Sequence, residues 1–151
     1  MRIRILALLA VAGAVVAGCA TVHHEAELEK RLERLGAATQ GLRRPRTAVI
    51  HADTRVAALG LLAEARANRD SPLSASLARQ LASAKRSHRD LVAGGPFADL
   101  TEQVLRNALA LQEDGSLEGL QLLVASQEQP SSTLLVAARR TRVRLLYRAF
   151  R

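Results

Sequence analysis

Cysteine and large aromatic side chains are scarce in this sequence of 151 residues, which holds one cysteine, no tryptophan, one tyrosine and two phenylalanines. A single cysteine excludes an internal disulfide framework and a cysteine-based zinc site. Strand-forming β-branched and aromatic residues are few, which argues against a β-sandwich or a β-barrel. Alanine and leucine, which favour helix, are by contrast the most frequent residues, with 28 and 26 copies.

Acidic residues are absent from the last 13 residues, where six arginines accumulate. The whole chain has a formal net charge of +8, but between the cysteine and residue 138 basic and acidic residues balance at 14 each. On a predicted last helix, four of the arginines form one ridge: Arg140, Arg144, Arg148 and Arg151. Such a ridge predicts binding to an acidic protein patch or to anionic phospholipid head groups. Solvated arginines on a docked helix are the alternative.

The N-terminus has the layout of a secretory signal peptide. Arg2 and Arg4 form a short basic region, residues 5–18 carry no charge, and small residues end the segment. The uncharged stretch of 14 residues is shorter than the roughly 20 that a helix needs to cross a bilayer. A cleaved signal peptide is therefore expected rather than a permanent membrane span.

Val16-Ala17-Gly18-Cys19 closes this segment and resembles the bacterial lipobox, in which an aliphatic and two small residues precede an invariant cysteine. The family more often has leucine where this chain has Val16. The resemblance, which covers the first 20 residues, implies attachment of diacylglycerol to the Cys19 thiol, cleavage before Cys19, and acylation of the new N-terminus with a fatty acid such as palmitate. Two or three acyl chains anchor firmly, since each buried methylene contributes about 0.8 kcal/mol. Ala20, where aspartate would indicate inner-membrane retention, implies an outer-membrane anchor facing the periplasm.

Helix punctuation predicts an all-α fold. Thr21 can cap a first helix to about Leu35, with a linker to Arg46. Five helices are then expected, each starting or ending at a capping residue, proline or glycine pair: Thr47, Ser71-Pro72, Gly94-Gly95, Asp114-Gly115-Ser116 and Gln129-Pro130-Ser131. Short connections force neighbouring helices to run antiparallel. The prediction is an antiparallel helical bundle of about five helices preceded by a short N-terminal helix and linker.

These signals divide the chain into three parts. Residues 1–18 are the expected signal peptide, residues 19–46 a lipidated tether with a short amphipathic helix and linker, and residues 47–151 the helical bundle domain. The helix that starts at Pro72 has the clearest apolar stripe. His88 lies on that stripe and is expected to be partly buried and hydrogen-bonded.

The sequence has no pattern that indicates catalysis or a metal site. His23 and His24 are adjacent and diverge on a helix, while His51 and Asp53 are two residues apart and nearly opposite on one. A helical metal pair needs a spacing of four. The serines fall mostly at predicted helix caps, and no Gly-x-Ser-x-Gly elbow is present. No cofactor, metal site or catalytic residue is predicted, and the protein is not expected to be an enzyme.

These observations favour a lipid-anchored accessory or assembly protein that binds another envelope component. In size and class it resembles the pilotins, small helical lipoproteins that escort secretins. Two alternatives remain: a membrane-surface structural element that uses the basic C-terminal helix, and a cell-wall enzyme or enzyme regulator. Nucleic acid is not an expected partner, because the compartment lacks it and no aromatic residues are interleaved for base stacking.

Overall fold

A computed structural model describes residues 24–150 as a parallel β-sheet with helices on both faces. The helices are α1 (residues 24–38), α2 (Arg55–Ala67), α3 (Pro72–Arg86), α4 (Ala98–Ala110) and α5 (Ser132–Thr141). The strands are β1 (Arg46–Val49), β2 (Leu91–Gly94), β3 (Gln121–Ser126) and β4 (Arg144–Ala149). The expected signal peptide, Cys19 and Arg151 lie outside the described residues.

The four strands are all parallel and lie side by side in chain order, from β1 to β4. Crossovers between parallel strands are right-handed in nearly all proteins. A sequential strand order therefore places every connecting helix on the same face of the sheet. The packing agrees with this arrangement. In the main core, apolar residues from each of the connecting helices α2, α3, α4 and α5 pack together with residues of the sheet: Leu62, Leu81, Leu105 and Leu134.

Helix α1 covers the opposite face of the sheet. Its Leu28 and Leu32 are buried in a second, smaller core. Its first described residue, His24, lies beside His51, just beyond the carboxyl end of β1, and its last turn lies close to Pro45, which precedes β1. Most of the segment that the sequence assigns to a tether is thus packed against the sheet.

The predicted all-α antiparallel bundle of about five helices is wrong. Each of the four strands lies in a stretch that the sequence assigned to a helix. Because the central strands are covered on both faces, they are apolar throughout and lack the alternation that marks a half-exposed strand. Strand β2, for example, reads Leu-Val-Ala-Gly and is entirely buried. The analogy with pilotins rested on the all-helical class and therefore does not apply to this fold.

Some helix starts were correctly predicted from local capping signals. Helix α5 follows Ser131, whose side chain accepts a hydrogen bond from a main-chain N–H of the first turn, and Pro72 occupies the first turn of α3. Thr47, predicted as a cap, lies on β1 instead. The cap of α2 is Thr54, whose Oγ1 accepts the N–H of Ala57 at 3.1 Å.

Two unusual helix ends explain why the predicted helices were too long. Helices α3 and α5 are each followed within two residues by a residue with positive φ, His88 at 51° and Arg142 at 59°. In both cases the next N–H bonds back to the carbonyl five residues earlier, which is the Schellman motif. Glycine usually fills this position, so neither residue signals a stop in the sequence. His88 is exposed, and its prediction as a partly buried residue is wrong.

Candidate partner-binding surface on strand β4

The fold separates the four arginines that were predicted to form one helical ridge. Helix α5 ends at Thr141, so Arg140 is helical while Arg144 and Arg148 lie on β4. Arg151 lies outside the described residues. The arginines therefore do not share one helix face.

Arg140 bonds to the end of α4. Its guanidinium donates hydrogen bonds to the carbonyl oxygens of Leu109 at 2.6 Å and Gln112 at 2.9 Å, and it pairs with Asp114. Carbonyl groups at the end of a helix have no partner within the helix itself. Arg140 supplies that partner, so its charge is already engaged inside the domain.

Arg144 and Arg148 remain without a counter-charge. Both side chains are exposed, and neither forms an ion pair or hydrogen bond with any residue in the part of the chain that the structure describes. Glu118, near the amino end of β4, pairs with Arg142 at 3.2 Å. On a strand, the Cα atoms of residues four apart lie about 13 Å from each other. Arg144 and Arg148 are therefore two separate cations that no nearby carboxylate of the described residues neutralises.

Strand β4 forms one edge of the sheet, and its outer side is open. The N–H groups of Arg144 and Phe150 donate to carbonyl oxygens at the two ends of β3. Main-chain groups alternate in direction along a strand, so three positions between them face away from β3: Leu145, Tyr147 and Ala149. Nothing in residues 24–150 pairs with these groups. An open edge of this kind can accept a strand from another chain.

The side chains of β4 divide between the two faces of the sheet. Leu145 packs with the main core and Leu146 with the α1 core, so alternation puts Arg144 and Arg148 on the α1 face. A recess of about 400 Å³ lies there, between β3, β4 and the loop that follows α1. Its lining combines the two arginines with apolar Leu146 and Leu123. The surface therefore offers both positive charge and apolar contact.

Two arginines of α1 extend the positive charge towards the carboxyl end of β4. Arg31 and Arg34 line a neighbouring recess together with Phe150. The Arg31 guanidinium carbon lies 5.0 Å from the centroid of the Phe150 ring, a distance at which a cation is attracted to the face of an aromatic ring. The side of the domain between α1 and β4 thus carries an excess of basic residues.

The carboxyl edge of the sheet, where α/β proteins usually bind ligands, has a polar recess of about 260 Å³ beside the end of β3, whose lining includes Asp99, Glu102 and Glu128. Ligand crevices form where strand order reverses, and this sheet has no reversal. The His51 side chain is 10% exposed, with Nε2 3.2 Å from Asp53 Oδ1, although the atoms are not aligned for a hydrogen bond. The His24 ring lies 5.6 Å away between centroids. Among residues 24–150, no three His, Cys, Asp or Glu side chains are arranged to hold a metal ion.

The sequence does not indicate the proximity of His51 and Asp53 when these residues are placed on a helix. Residues two apart point in nearly opposite directions on a helix, but they share a side in extended chain. For the same reason the open edge of β4 had no signal in the sequence. The sequence indicates the arginines of β4 but does not indicate that they lie on a strand.

The comparison with protein-family models found no match to this chain, and neither did the comparisons with curated proteins and with solved structures. Within the described residues, no helix has the length and apolar character needed to cross a membrane. The basis for a function is therefore the chain's own residues.

Proposed function

We propose that this chain is a lipid-anchored protein of the bacterial envelope that faces the periplasm from the outer membrane. Its domain acts as a non-catalytic accessory or assembly factor and binds a protein partner along the open edge of β4. One observation carries the proposal: Arg144 and Arg148, both without a counter-charge among residues 24–150, lie on a strand with three unpaired, outward-facing main-chain positions.

The lipid anchor is supported by the residues Val16-Ala17-Gly18-Cys19 and is compatible with the direction of α1. His24 is the fifth residue after Cys19, and a fully extended chain over those five steps spans at most about 18 Å. The first described residue of α1, His24, lies at the carboxyl edge of the sheet, where its ring is near His51. An acylated Cys19 would therefore hold this edge close to the membrane surface.

An extended partner segment can add a fifth strand beside β4. The outward N–H and C=O groups of Leu145, Tyr147 and Ala149 would form its main-chain hydrogen bonds. Alternate side chains of the added strand would lie on the α1 face, next to Arg144 and Arg148. Each cross-strand charge pair contributes about 0.2–1 kcal/mol. The chemistry that fits this edge is an extended protein segment with carboxylates, on the segment or on the surface beside it, that can reach the two arginines.

The membrane-surface alternative depended on a basic C-terminal helix. An amphipathic helix binds lipid by laying its apolar face into the interface. Arg144 and Arg148 lie on a strand whose main chain is half paired to β3, so this segment offers no such helix. The geometry favours a protein partner over lipid head groups at these two arginines.

The variant Cys19→Ser tests the anchor. In the wild type we expect the chain in the outer-membrane fraction, with an N-terminal peptide that begins at an acylated Cys19 in mass spectrometry. The variant should keep its signal segment and carry no acyl mass. An unacylated, unprocessed wild-type chain in the soluble fraction would contradict the anchor.

A photo-reactive amino acid at Ala149 tests the binding edge in the full-length chain. We expect a discrete adduct with an extended partner segment that has carboxylates on it or on the surface beside it. Replacing Arg144 and Arg148 with glutamine should reduce its yield about threefold to tenfold, because two charge pairs are lost.

The matched control replaces Arg69 and Arg86, which are exposed and lie outside β4, with glutamine and removes the same charge. This control should leave the adduct unchanged. An adduct that survives the loss of Arg144 and Arg148, or a partner with no acidic residue on or beside the crosslinked segment, would refute the proposed edge.

A further inference from the structure

The edge of the sheet opposite β4 lies in a groove. Helix α1 borders the outer side of β1 on one face and α3 on the other, and the groove between them has a volume of about 810 Å³. Ligand sites in proteins commonly have about 300–1,000 Å³. The α1 wall presents Glu29 and Glu33, and the α3 wall presents Ser76, Arg79 and other polar residues.

Strand β1 is open along this groove. The N–H groups of Arg46 and Ile50 donate to carbonyl oxygens at the two ends of β2. Alternation along the strand therefore turns the main-chain groups of Thr47 and Val49 outward. No residue in the described part of the chain pairs with them. The groove thus contains a strand edge with the hydrogen-bonding groups to accept a further strand.

The acidic wall of the groove lacks a counter-charge. Glu29 and Glu33 are four residues apart on α1, a spacing at which like charges destabilise a helix by a few tenths of a kcal/mol. Neither carboxylate has a cation within ion-pair distance among residues 24–150. Three arginines line the same groove: Arg46 and Arg89 bond to a serine hydroxyl and to a main-chain carbonyl, and Arg79 lies on the opposite, α3 wall. An occupant with basic side chains on the α1 face would neutralise this wall.

The chain itself carries a strand with these properties. Strand β4 is thinly covered: Leu145, Leu146 and Tyr147 are half-buried and its other three residues are exposed. On the α1 face it presents Arg144 and Arg148. Strand β4 is therefore an exposed edge strand. Its two arginines lie on the face of the sheet that also carries the acidic wall of the β1 groove.

We propose that β4 of one copy enters the β1 groove of a second copy, which joins the two sheets head to tail through a parallel β4–β1 pair. The inference rests on the proposed use of β4 as a binding edge and identifies its occupant as a second copy. In the joined sheet, Arg144 and Arg148 lie on the same face as Glu29 and Glu33 of the next copy. The contact is heterologous, so further copies can add and form a ring or a filament.

The parallel arrangement suits a lipid anchor. When strands of all copies point the same way, every carboxyl edge lies on one side of the assembly, and so does every start of α1. Acylated Cys19 residues would then all reach the same membrane. An antiparallel joint would turn alternate copies around and direct their anchors away from it.

Paired cysteines test the contact in the full-length chain, whose only native cysteine is the expected acylation site. Facing residues of neighbouring strands lie about 5 Å apart, within disulfide reach. Cysteine at Thr47 or Val49, combined with cysteine at Leu146, joins positions on the α1 face and should give disulfide-linked multimers in the oxidising periplasm. Pairing either position with Tyr147, on the other face, should give none. Monomers in every combination, or equal yields on both faces, would overturn the proposal.

A charge exchange provides an independent test. The variants E29R/E33R and R144E/R148E each place like charges across the joint, and each should lose at least tenfold in multimer yield. Co-expression of the two should restore multimers, since every joint between them again has opposite charges. The control R69E/R86E, with the same charge change as R144E/R148E, should associate like the wild type.

The two proposals can fail separately. If co-expression restores nothing while photo-crosslinking at Ala149 still captures an acidic segment of a different protein, self-association is refuted and the proposed function stands. If neither experiment yields an adduct, both proposals are refuted.

Discussion

The buried carboxylate of Asp90 accepts two hydrogen bonds from Arg43, one from the main-chain N–H at 2.6 Å and one from Nη2 at 3.1 Å. The N–H of Gln121 donates a third at 3.0 Å. Asp90 precedes β2, Arg43 lies in the loop before β1, and Gln121 begins β3, so one carboxylate connects the amino ends of three strands. Burial alone would raise the pKa of Asp90, but the hydrogen bonds and the positive charge of Arg43 outweigh it and lower the pKa.

We expect Asp90→Asn to lower the free energy of unfolding by about 2–3 kcal/mol near neutral pH, because hydrogen bonds to the charged carboxylate are lost. The folded pKa lies below the unfolded value of about 3.9, so the stabilisation is complete above that value and disappears as the pH falls through the folded pKa. Urea unfolding of both proteins at about pH 7 and about pH 3 measures this. The difference in the free energy of unfolding between the two proteins should be smaller at the acidic pH. The same difference at both pH values would contradict the role of the carboxylate.

Replacing His88 with glycine should stabilise the fold. A left-handed backbone conformation costs a residue with a Cβ about 1 kcal/mol relative to glycine, and the exposed His88 has φ of 51°. His88→Ala serves as the control, since alanine removes the ring but keeps the strain, and it should change stability little. The midpoint of thermal or urea unfolding distinguishes the two. Equal effects of both substitutions would mean that the ring, rather than the backbone, matters.

Gly95 should tolerate no larger residue. A Cβ there would lie 2.0 Å from the carbonyl oxygen of Ile50, which is main chain and cannot move aside cheaply. We expect Gly95→Ala to destabilise by about 1–3 kcal/mol through overpacking. Gly60 on α2 is exposed with open space around it, so Gly60→Ala should stabilise by about 1 kcal/mol. In urea unfolding, Gly95→Ala should lower the free energy of unfolding and Gly60→Ala should raise it.

Thr101→Val tests the buried hydroxyl on α4. The Oγ1 of Thr101 is buried without a hydrogen-bond partner among the described residues, and an unsatisfied polar group costs about 1–3 kcal/mol. Valine has a similar shape and no hydroxyl, so the variant should be more stable by about 1 kcal/mol. A clear loss of stability in thermal unfolding would show instead that the hydroxyl has a partner in solution.

The starts of α3 and α5 could be predicted from Pro72 and Ser131, because a cap acts within one helical turn and its effect is local. The ends of α3 and α5 could not, since His88 and Arg142 take a backbone conformation that their side chains do not favour. Such a conformation persists only when the surrounding structure imposes it. Of the candidate surface, the sequence indicated Arg144 and Arg148, but not the open strand edge or the facing groove at β1.

By itself, the sequence determined the local features of this protein: helix caps, the basic C-terminal segment and a lipobox-like N-terminus whose acylation remains to be tested. Only the tertiary structure decided that apolar stretches such as Leu91–Gly94 are strands. A strand buried on both faces has no periodicity of its own, and its hydrogen bonds go to residues distant in the chain. The same long-range pairing decides which edges stay open, and therefore where a partner can bind.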